Sequence, residues 1–140
     1  MIEFHTYGPI KNRPIIERFI AQCLDYLLPY PYKRNISITV EFVRNMENYG
    51  ECLGDRNEAT ITISKYDEDG NYFDLRNLLL NIAHELVHAK QFIKGQLSPS
   101  TQKWKGVEVD APYKKTPWEK EAYLMEDKIF KTYWIDGKNI

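Results

Sequence analysis

The stretch Asn81-Ile82-Ala83-His84-Glu85-Leu86-Val87-His88-Ala89-Lys90 contains the pattern His-Glu-x-x-His. In a helix, residues four positions apart project from the same face, so this spacing brings two imidazoles together. Two imidazoles placed in this way can bind one Zn²⁺, with the intervening carboxylate as a candidate general base. The pattern therefore predicts a zinc site on a helix, with His84 and His88 as ligands and Glu85 as the catalytic residue.

The residues around this motif have the periodicity of an amphipathic helix from Tyr72 to Lys94. An apolar stripe lies opposite the histidines, so one side can pack while the other presents the imidazoles. Asn77, Asn81 and Gln91 share the histidine side, which suits a polar cleft. Gly95 is expected to end the helix, because glycine adopts the left-handed conformation at little cost. The stripe consists of Leu75, Leu79, Ile82, Leu86, Ala89 and Ile93.

The simplest alternative is a surface helix whose polar face carries two histidines without a metal. A glutamate directly after the first histidine and an apolar opposite face both favour the metal site over this alternative. A random chain of this length would contain the pattern well under about once in a hundred cases at ordinary residue frequencies.

Length and composition indicate one globular domain that covers residues 1–140. The chain has 140 residues, of which 43% are hydrophobic and 28% charged, and its net charge is −1. Near-neutral charge gives no field that would attract nucleic acid or an anionic membrane, so neither is expected as a partner. No apolar run approaches the roughly 20 residues that span a bilayer.

The two cysteines of the chain, Cys23 and Cys52, are too far apart in sequence for a Cys-x-x-Cys motif. A disulfide between them is one possibility; two free thiols in a reducing compartment are favoured. The N-terminus has no charged-then-apolar signal layout, so a cytoplasmic location is expected.

The remaining patterns predict an α+β fold, with an N-terminal helix, a short antiparallel or mixed sheet, the His-Glu-x-x-His helix and a C-terminal helix packed against it. Asn12 is expected to cap the first helix and Pro14 to lie in its first turn. The acidic segment 67–71 lacks the spacing of a calcium loop and is expected to be a turn. Strands are expected at 1–7, 36–43 and 59–64, loops at 45–58 and 96–115, and the last helix from Thr116-Pro117 to about Trp134.

A catalytic zinc site needs a third protein ligand besides the two histidines. No histidine follows His88, and His5 lies on a remote element, so the remaining candidates are carboxylates. The last helix offers four candidates, Glu119, Glu121, Glu126 and Asp127. Helical geometry places Glu119 and Glu126 on one side and Glu121 nearly opposite.

At this point the sequence resembles the gluzincin-type zinc metallopeptidases, whose His-Glu-x-x-His helix is followed by a helix with a ligating Glu near its start. In several small members that Glu stands three residues before an Ala, as in Glu119-Lys120-Glu121-Ala122. The region from Trp104 to Ala122 is also similar to small phage-type metallopeptidases, although Tyr123 stands where members often carry Asp or Asn. The resemblance covers residues 59–130.

The resemblance implies a small zincin-like domain in which His84, His88 and Glu119 hold Zn²⁺ as the cofactor. It implies peptide-bond hydrolysis with Glu85 as general base, and a peptide or protein as substrate. The substrate would add a strand to an exposed sheet edge, for which residues 59–64 are expected. Tyr113 and Tyr123 are the two candidates for a donor to the oxyanion.

Four alternatives stay open at the level of sequence. Glu121 is a second candidate for the third ligand, and Thr116-x-x-Glu119 is also the pattern of a capping box, in which Glu119 would bind a backbone N–H. A catalytically idle zincin-like binding module that acts through a protein partner would use the same scaffold. A nucleic-acid-associated protease or accessory protein would need more than the basic pair Lys114-Lys115.

Overall fold

The computed structural model describes residues 1–29, 31–99, 103–135 and 138–139. Three helices follow one another as α1 (Arg13–Leu27), α2 (Leu75–Ile93) and α3 (Pro117–Tyr133). The strands are β1 (Ile2–Tyr7), β2 (Ile36–Val43), β3 (Gly50–Gly54), β4 (Glu58–Ser64), β5 (Lys103–Trp104), β6 (Val107–Glu108), β7 (Trp134–Ile135) and β8 (Lys138–Asn139), and a 3-10 turn covers Tyr113–Lys115.

The main sheet has the strand order β1-β2-β4-β3. β1, β2 and β4 are parallel, and β3 is antiparallel to β4. β2 buries Ile36, Ile38 and Val40 on one face and exposes Ser37 and Glu41 on the other. This alternation is typical of a sheet with one covered face. The expected α+β architecture, with an N-terminal helix, a short mixed sheet, the His-Glu-x-x-His helix and a C-terminal helix, is confirmed.

Helix α2 is the central element, because it contacts α1, α3, β3 and β4. It begins at Leu75 rather than at Tyr72, since Asp74 caps it by accepting from the N–H of Asn77 at 2.8 Å. Gly95, with φ 72°, follows the helix as expected. Every residue from Ile82 to Ile93 is buried. His84 and Glu85 nevertheless border a polar depression together with Asn81, whereas Gln91 is packed between the helices.

Some local predictions are confirmed and others are wrong. Pro14 lies in the first turn of α1, but Asn12 makes no side-chain cap. Instead, the Asn12 backbone is left-handed, with φ 63°, a conformation that asparagine tolerates better than most residues. Segment 67–71 is the expected turn, in which Asp67 accepts from the N–H groups of Asp69 and Asn71.

Both expected loops contain regular structure. Strand β3 lies within 45–58, where it pairs with β4 across a turn in which Asp55 accepts from the N–H groups of Asn57 and Glu58. Segment 96–115 contains the β5–β6 hairpin and the 3-10 turn, and its residues 100–102 lie outside the described residues.

The expectation that residues 59–64 form an exposed edge is wrong. β4 is hydrogen-bonded to β2 on one side and to β3 on the other, so its backbone groups are already paired. The edges of the main sheet are β1 and β3. Within the described part of the chain, none of the helices has the length and apolar character needed to span a membrane.

Candidate metal centre

His84, His88 and Glu119 converge where α2 packs against α3. Nε2 of His84 lies 2.9 Å from one oxygen of Glu119, and Nε2 of His88 lies 3.0 Å from the other. The imidazole planes are nearly perpendicular, at 80°. Both histidines of the motif therefore direct their Nε2 atoms at the carboxylate of the first glutamate in the following helix.

These three side chains could hold a metal ion. Each offers one ligand atom, and these atoms lie within 4.8 Å of one another. A tetrahedral zinc ion with bonds of about 2.0–2.2 Å needs ligand atoms roughly 3.3–3.6 Å apart, so small movements would suffice. Two imidazoles and a carboxylate are a donor set that zinc accepts, and all three residues are buried, with 9%, 7% and 3% exposure.

The other acidic candidates of α3 do not join this cluster. Glu121 binds Lys90 at 2.7 Å and accepts from Nε2 of Gln91 at 3.1 Å, on the far side of His88. Asp127 pairs with Lys131 on the exposed surface. Glu126 does approach a histidine, but it binds Nδ1 of His84 at 3.1 Å, the nitrogen that faces away from Glu119.

Thr116 and Glu119 do not form the capping box that their spacing allows. The Thr116 hydroxyl donates to the carbonyl of Tyr113 at 2.9 Å, and the Glu119 carboxylate is occupied by the two imidazoles. Glu119 is thus free of a capping role because α3 packs directly over α2.

Glu85 lies beside the cluster and against strand β3. A Cβ added to Gly50 would meet Cγ of Glu85 at 3.0 Å and its Oε2 at 3.1 Å, so the carboxylate occupies space that the missing side chain leaves. Burial raises the pKa of the Glu85 carboxyl, and the positive imidazoles of His88 and His84 partly oppose this. A carboxylate with a raised pKa is better suited to take up a proton than an exposed one.

Charge coupling within the cluster is strong. Burial disfavours a charged imidazole, but the hydrogen bonds to Glu119 and Glu126 outweigh it and raise the pKa of His84 to about 10. Burial also disfavours a charged Glu119, yet the bonds from His84 and His88 lower its pKa to about 2. Without a metal, the carboxylate is therefore the counter-ion of protonated imidazoles.

This coupling predicts a pH dependence for the metal-free protein. The pKa of His84 is raised above its ordinary 6.5, so its stabilising contribution is complete below that value and is lost as the pH rises toward about 10. The pKa of Glu119 is lowered below its ordinary 4.5, so its contribution is complete above that value and is lost as the pH falls toward about 2.

We therefore expect the free energy of unfolding in the presence of a chelator to be highest between about pH 4.5 and 6.5. Urea titrations from pH 3 to 10, roughly the range over which both groups titrate, measure it. The variant Glu119→Gln should flatten the profile on both sides, because it removes the counter-ion. A wild-type stability that keeps rising above pH 7 would contradict the coupling.

Two tyrosines border the centre on its open side. Tyr113 lines both depressions that flank Glu85, and burial together with the charges of Glu119 and Glu85 raises the pKa of its hydroxyl. Tyr123 lies with its ring against His84, with centroids 4.7 Å apart. Tyr113 therefore borders both depressions, whereas Tyr123 borders one of them and packs on a histidine.

Sequence reasoning missed the roles of three residues. Glu126 was a candidate ligand, but it lies two turns after Glu119 on the same face of α3, a spacing that places it behind His84. Gln91, three residues after His88, places its amide oxygen Oε1 2.8 Å from Nδ1 of that histidine, where the oxygen can only accept. Gly50 gave no signal, because its proximity to Glu85 depends on the packing of β3 against α2.

Comparisons with known proteins give no family. No family model matches the chain, and no curated protein matches it. Among solved structures, a crystal structure of a Wss1 mutant from Saccharomyces cerevisiae is similar, with 12% sequence identity and a TM-score of 0.43. The match covers 95% of this chain and 90% of that chain. A match at this level does not identify an activity.

Proposed function

We propose that residues 1–140 form a single zinc metallopeptidase domain of the gluzincin type, which hydrolyses peptide bonds. The proposal is supported by one observation above all: Nε2 of His84 and Nε2 of His88 meet the carboxylate of Glu119 at 2.9 and 3.0 Å. These side chains come from two helices that are distant in sequence, and only packing brings them together.

In this proposal His84, His88 and Glu119 hold the zinc ion. A bound zinc ion supplies Lewis-acid chemistry, because it lowers the pKa of water and polarises a carbonyl oxygen. The burial of the three side chains, each less than a tenth exposed, keeps competing water away from them. It also strengthens every electrostatic interaction in the site.

Glu85 is the proposed general base. It lies next to both histidines in the motif and borders the two depressions beside the cluster. Its carboxylate would take a proton from the attacking water and pass it to the leaving amine. Burial raises the pKa of Glu85, which favours this uptake, and the neighbouring charges of His88 and His84 oppose the rise.

Tyr113 is the proposed donor to the oxyanion, in preference to Tyr123. A tyrosine hydroxyl is protonated at neutral pH, and burial with the nearby carboxylates of Glu119 and Glu85 raises the pKa of Tyr113 further. A protonated hydroxyl at the mouth of the cleft can donate a hydrogen bond where negative charge develops. Tyr123 instead has its ring against His84.

The substrate would bind along β3 rather than along β4. β3 is an edge strand of the main sheet, and Gly50 at its start is in contact range of Glu85. An edge strand offers unpaired N–H and C=O groups to an extended peptide. Glu51 and Leu53 are exposed on this strand, so a peptide added there would lie next to the proposed base.

Gly50→Ala tests the position of β3 relative to the base. A methyl group there would lie 3.0 Å from Cγ of Glu85 and 3.1 Å from its Oε2, so the carboxylate must shift by a few tenths of an ångström. We expect a fall in kcat of roughly 10-fold or more with zinc affinity unchanged, because about 1 Å of misplacement costs up to 100-fold. Steady-state kinetics and zinc titration measure the two effects. Gly70→Ala, whose added Cβ would meet nothing within 4 Å but whose φ of 79° strains an alanine, controls for backbone destabilisation without a contact to Glu85.

The function itself is tested by digestion of a peptide library. Zinc-loaded wild-type protein should generate new peptide termini, detected by mass spectrometry, and removal of the metal with a chelator should stop this. The same digestion with Glu85→Gln excludes a contaminating protease. A wild-type protein that binds no zinc at micromolar concentration, or cleavage that survives complete metal removal, would contradict the proposal.

A further inference from the structure

Behind His88, on the side away from Glu119, lies a buried polar network between α2 and α3. Nδ1 of His88 lies 2.8 Å from Oε1 of Gln91. Nε2 of Gln91 donates to the carbonyl of Trp118 at 3.0 Å and to Oε1 of Glu121 at 3.1 Å. The same Glu121 oxygen accepts from Nζ of Lys90 at 2.7 Å.

This network fixes which way the Gln91 amide points. Its two N–H groups are directed at two oxygens, and an amide nitrogen can only donate. A rotation of the amide by 180° would bring its oxygen against the Trp118 carbonyl and the Glu121 carboxylate, so that three acceptor oxygens would face one another. Gln91 is fully buried, so water cannot compensate for that arrangement.

The fixed position of the Gln91 oxygen determines which ring nitrogen of His88 carries a proton. Because Oε1 can only accept, Nδ1 of His88 must carry a proton and donate to it. A neutral His88 then has its lone pair on Nε2, the nitrogen that faces Glu119. Outer partners of metal-binding histidines commonly select the tautomer in this way.

We propose that Lys90, Glu121 and Gln91 are positioning residues that hold His88 with Nδ1 protonated and Nε2 directed at the metal. This rests on the metal site proposed above. Glu121, the alternative third ligand at the sequence level, thus acts through Gln91 rather than on the metal. His84 has a different partner, the Glu126 carboxylate, so the two histidines are held by separate groups.

Gln91→Leu removes the acceptor for Nδ1 at similar volume. We expect the zinc affinity to fall by about 10- to 100-fold, the range for loss of an outer partner. Glu121→Ala should lower it less, because Gln91 keeps its bond to Trp118, and Glu121→Gln should restore it, since an amide oxygen can accept from Lys90 and Gln91. The double variant Gln91→Leu/Glu121→Ala should bind zinc no more weakly than Gln91→Leu, because Glu121 affects the His88 ring only through Gln91.

The affinities are measured by competition with a chelator, and Asp127→Asn, which removes an exposed carboxylate of α3, should match the wild type. Imidazole ¹⁵N spectra of the zinc-loaded protein should assign the proton of His88 to Nδ1, and this signal should change in Gln91→Leu while that of His84 stays. A network that only stabilised the packing of α2 against α3 would not change the protonation of one histidine in this way.

Three outcomes would overturn the inference. The first is a folded Gln91→Leu protein with wild-type affinity and an unchanged His88 spectrum. If Gln91→Leu does not fold, equal affinities of Glu121→Ala, Glu121→Gln and the wild type overturn it instead. A wild-type protein that binds no zinc overturns both this inference and the proposed function, whereas wild-type binding with unaffected network variants overturns this inference alone.

Discussion

Glu85→Gln should retain zinc and lose peptide hydrolysis by about 10²- to 10⁴-fold, the usual contribution of a positioned general base. The substituted amide has nearly the same shape, so it fits the space left by Gly50, where the carboxylate now lies. It cannot accept the proton of an attacking water. Zinc binding should change little, because Nε2 of His84, Nε2 of His88 and the Glu119 carboxylate form the cluster without Glu85.

The measurement compares the initial rate of cleavage and the bound zinc per chain in the same preparations. Asp127→Asn is the matched control, because it converts another carboxylate to an amide at an exposed position of α3. The control should keep both the rate and the zinc of the wild type. Undiminished hydrolysis in pure Glu85→Gln protein would rule out Glu85 as the base, and loss of zinc would place its role in metal binding.

The contact between the two histidines could be predicted from the sequence, because it depends only on the local geometry of one helix. A helix with residues four apart brings His84 and His88 together whatever else it packs against. Helical geometry also separated Glu121 from Glu119, and the two carboxylates do point to different sides of His88. The contact between α3 and α2, by contrast, joins segments about 30 residues apart, and local patterns left several acids as candidates.

Strand β3 was missed because its sequence is atypical. Gly50-Glu51-Cys52-Leu53-Gly54 begins and ends with glycine, a residue that strands disfavour. The turn residues Asp55-Arg56-Asn57 before β4 were a usable signal for a hairpin. The glycines are explained by packing: a Cβ at Gly50 would press on Glu85, and one at Gly54 would lie 2.8 Å from the carbonyl oxygen of Glu58.

The position of β4 within the sheet could not be derived from its own residues. Buried residues in β4 alternate with two threonines, Thr60 and Thr62; the buried residues are Ala59, Ile61 and Ile63. When one face of a sheet is covered, central and edge strands show the same alternation. Strand order depends on long-range pairing. The pairing makes β3 rather than β4 the proposed edge for the substrate. The proposed chemistry of His84, Glu85 and His88 is the same in either case.

Glu119→Gln should have the largest effect on metal binding among variants of α3. The amide keeps the size of the side chain but loses its charge, and a neutral amide oxygen is a much poorer zinc ligand than a carboxylate. We expect the zinc affinity to fall by more than the roughly 100-fold that marks the upper range for loss of an outer partner. The fall should therefore exceed that of Glu121→Ala, whose carboxylate contacts Lys90 and Gln91 instead.

The same variant separates ligand loss from a change in protonation. In the wild type, zinc must displace protons from imidazoles that Glu119 holds charged, since its hydrogen bond helps raise the pKa of His84 to about 10. Zinc affinity should consequently rise with pH from 6 to 9, because this range lies below the pKa of His84 and zinc binding must release its proton. Glu119→Gln weakens this competition, although Glu126 still holds His84, so its affinity should be both weaker and less dependent on pH. Zinc titrations at several pH values measure the two effects together, and an affinity equal to that of the wild type at every pH would exclude Glu119 as the third ligand.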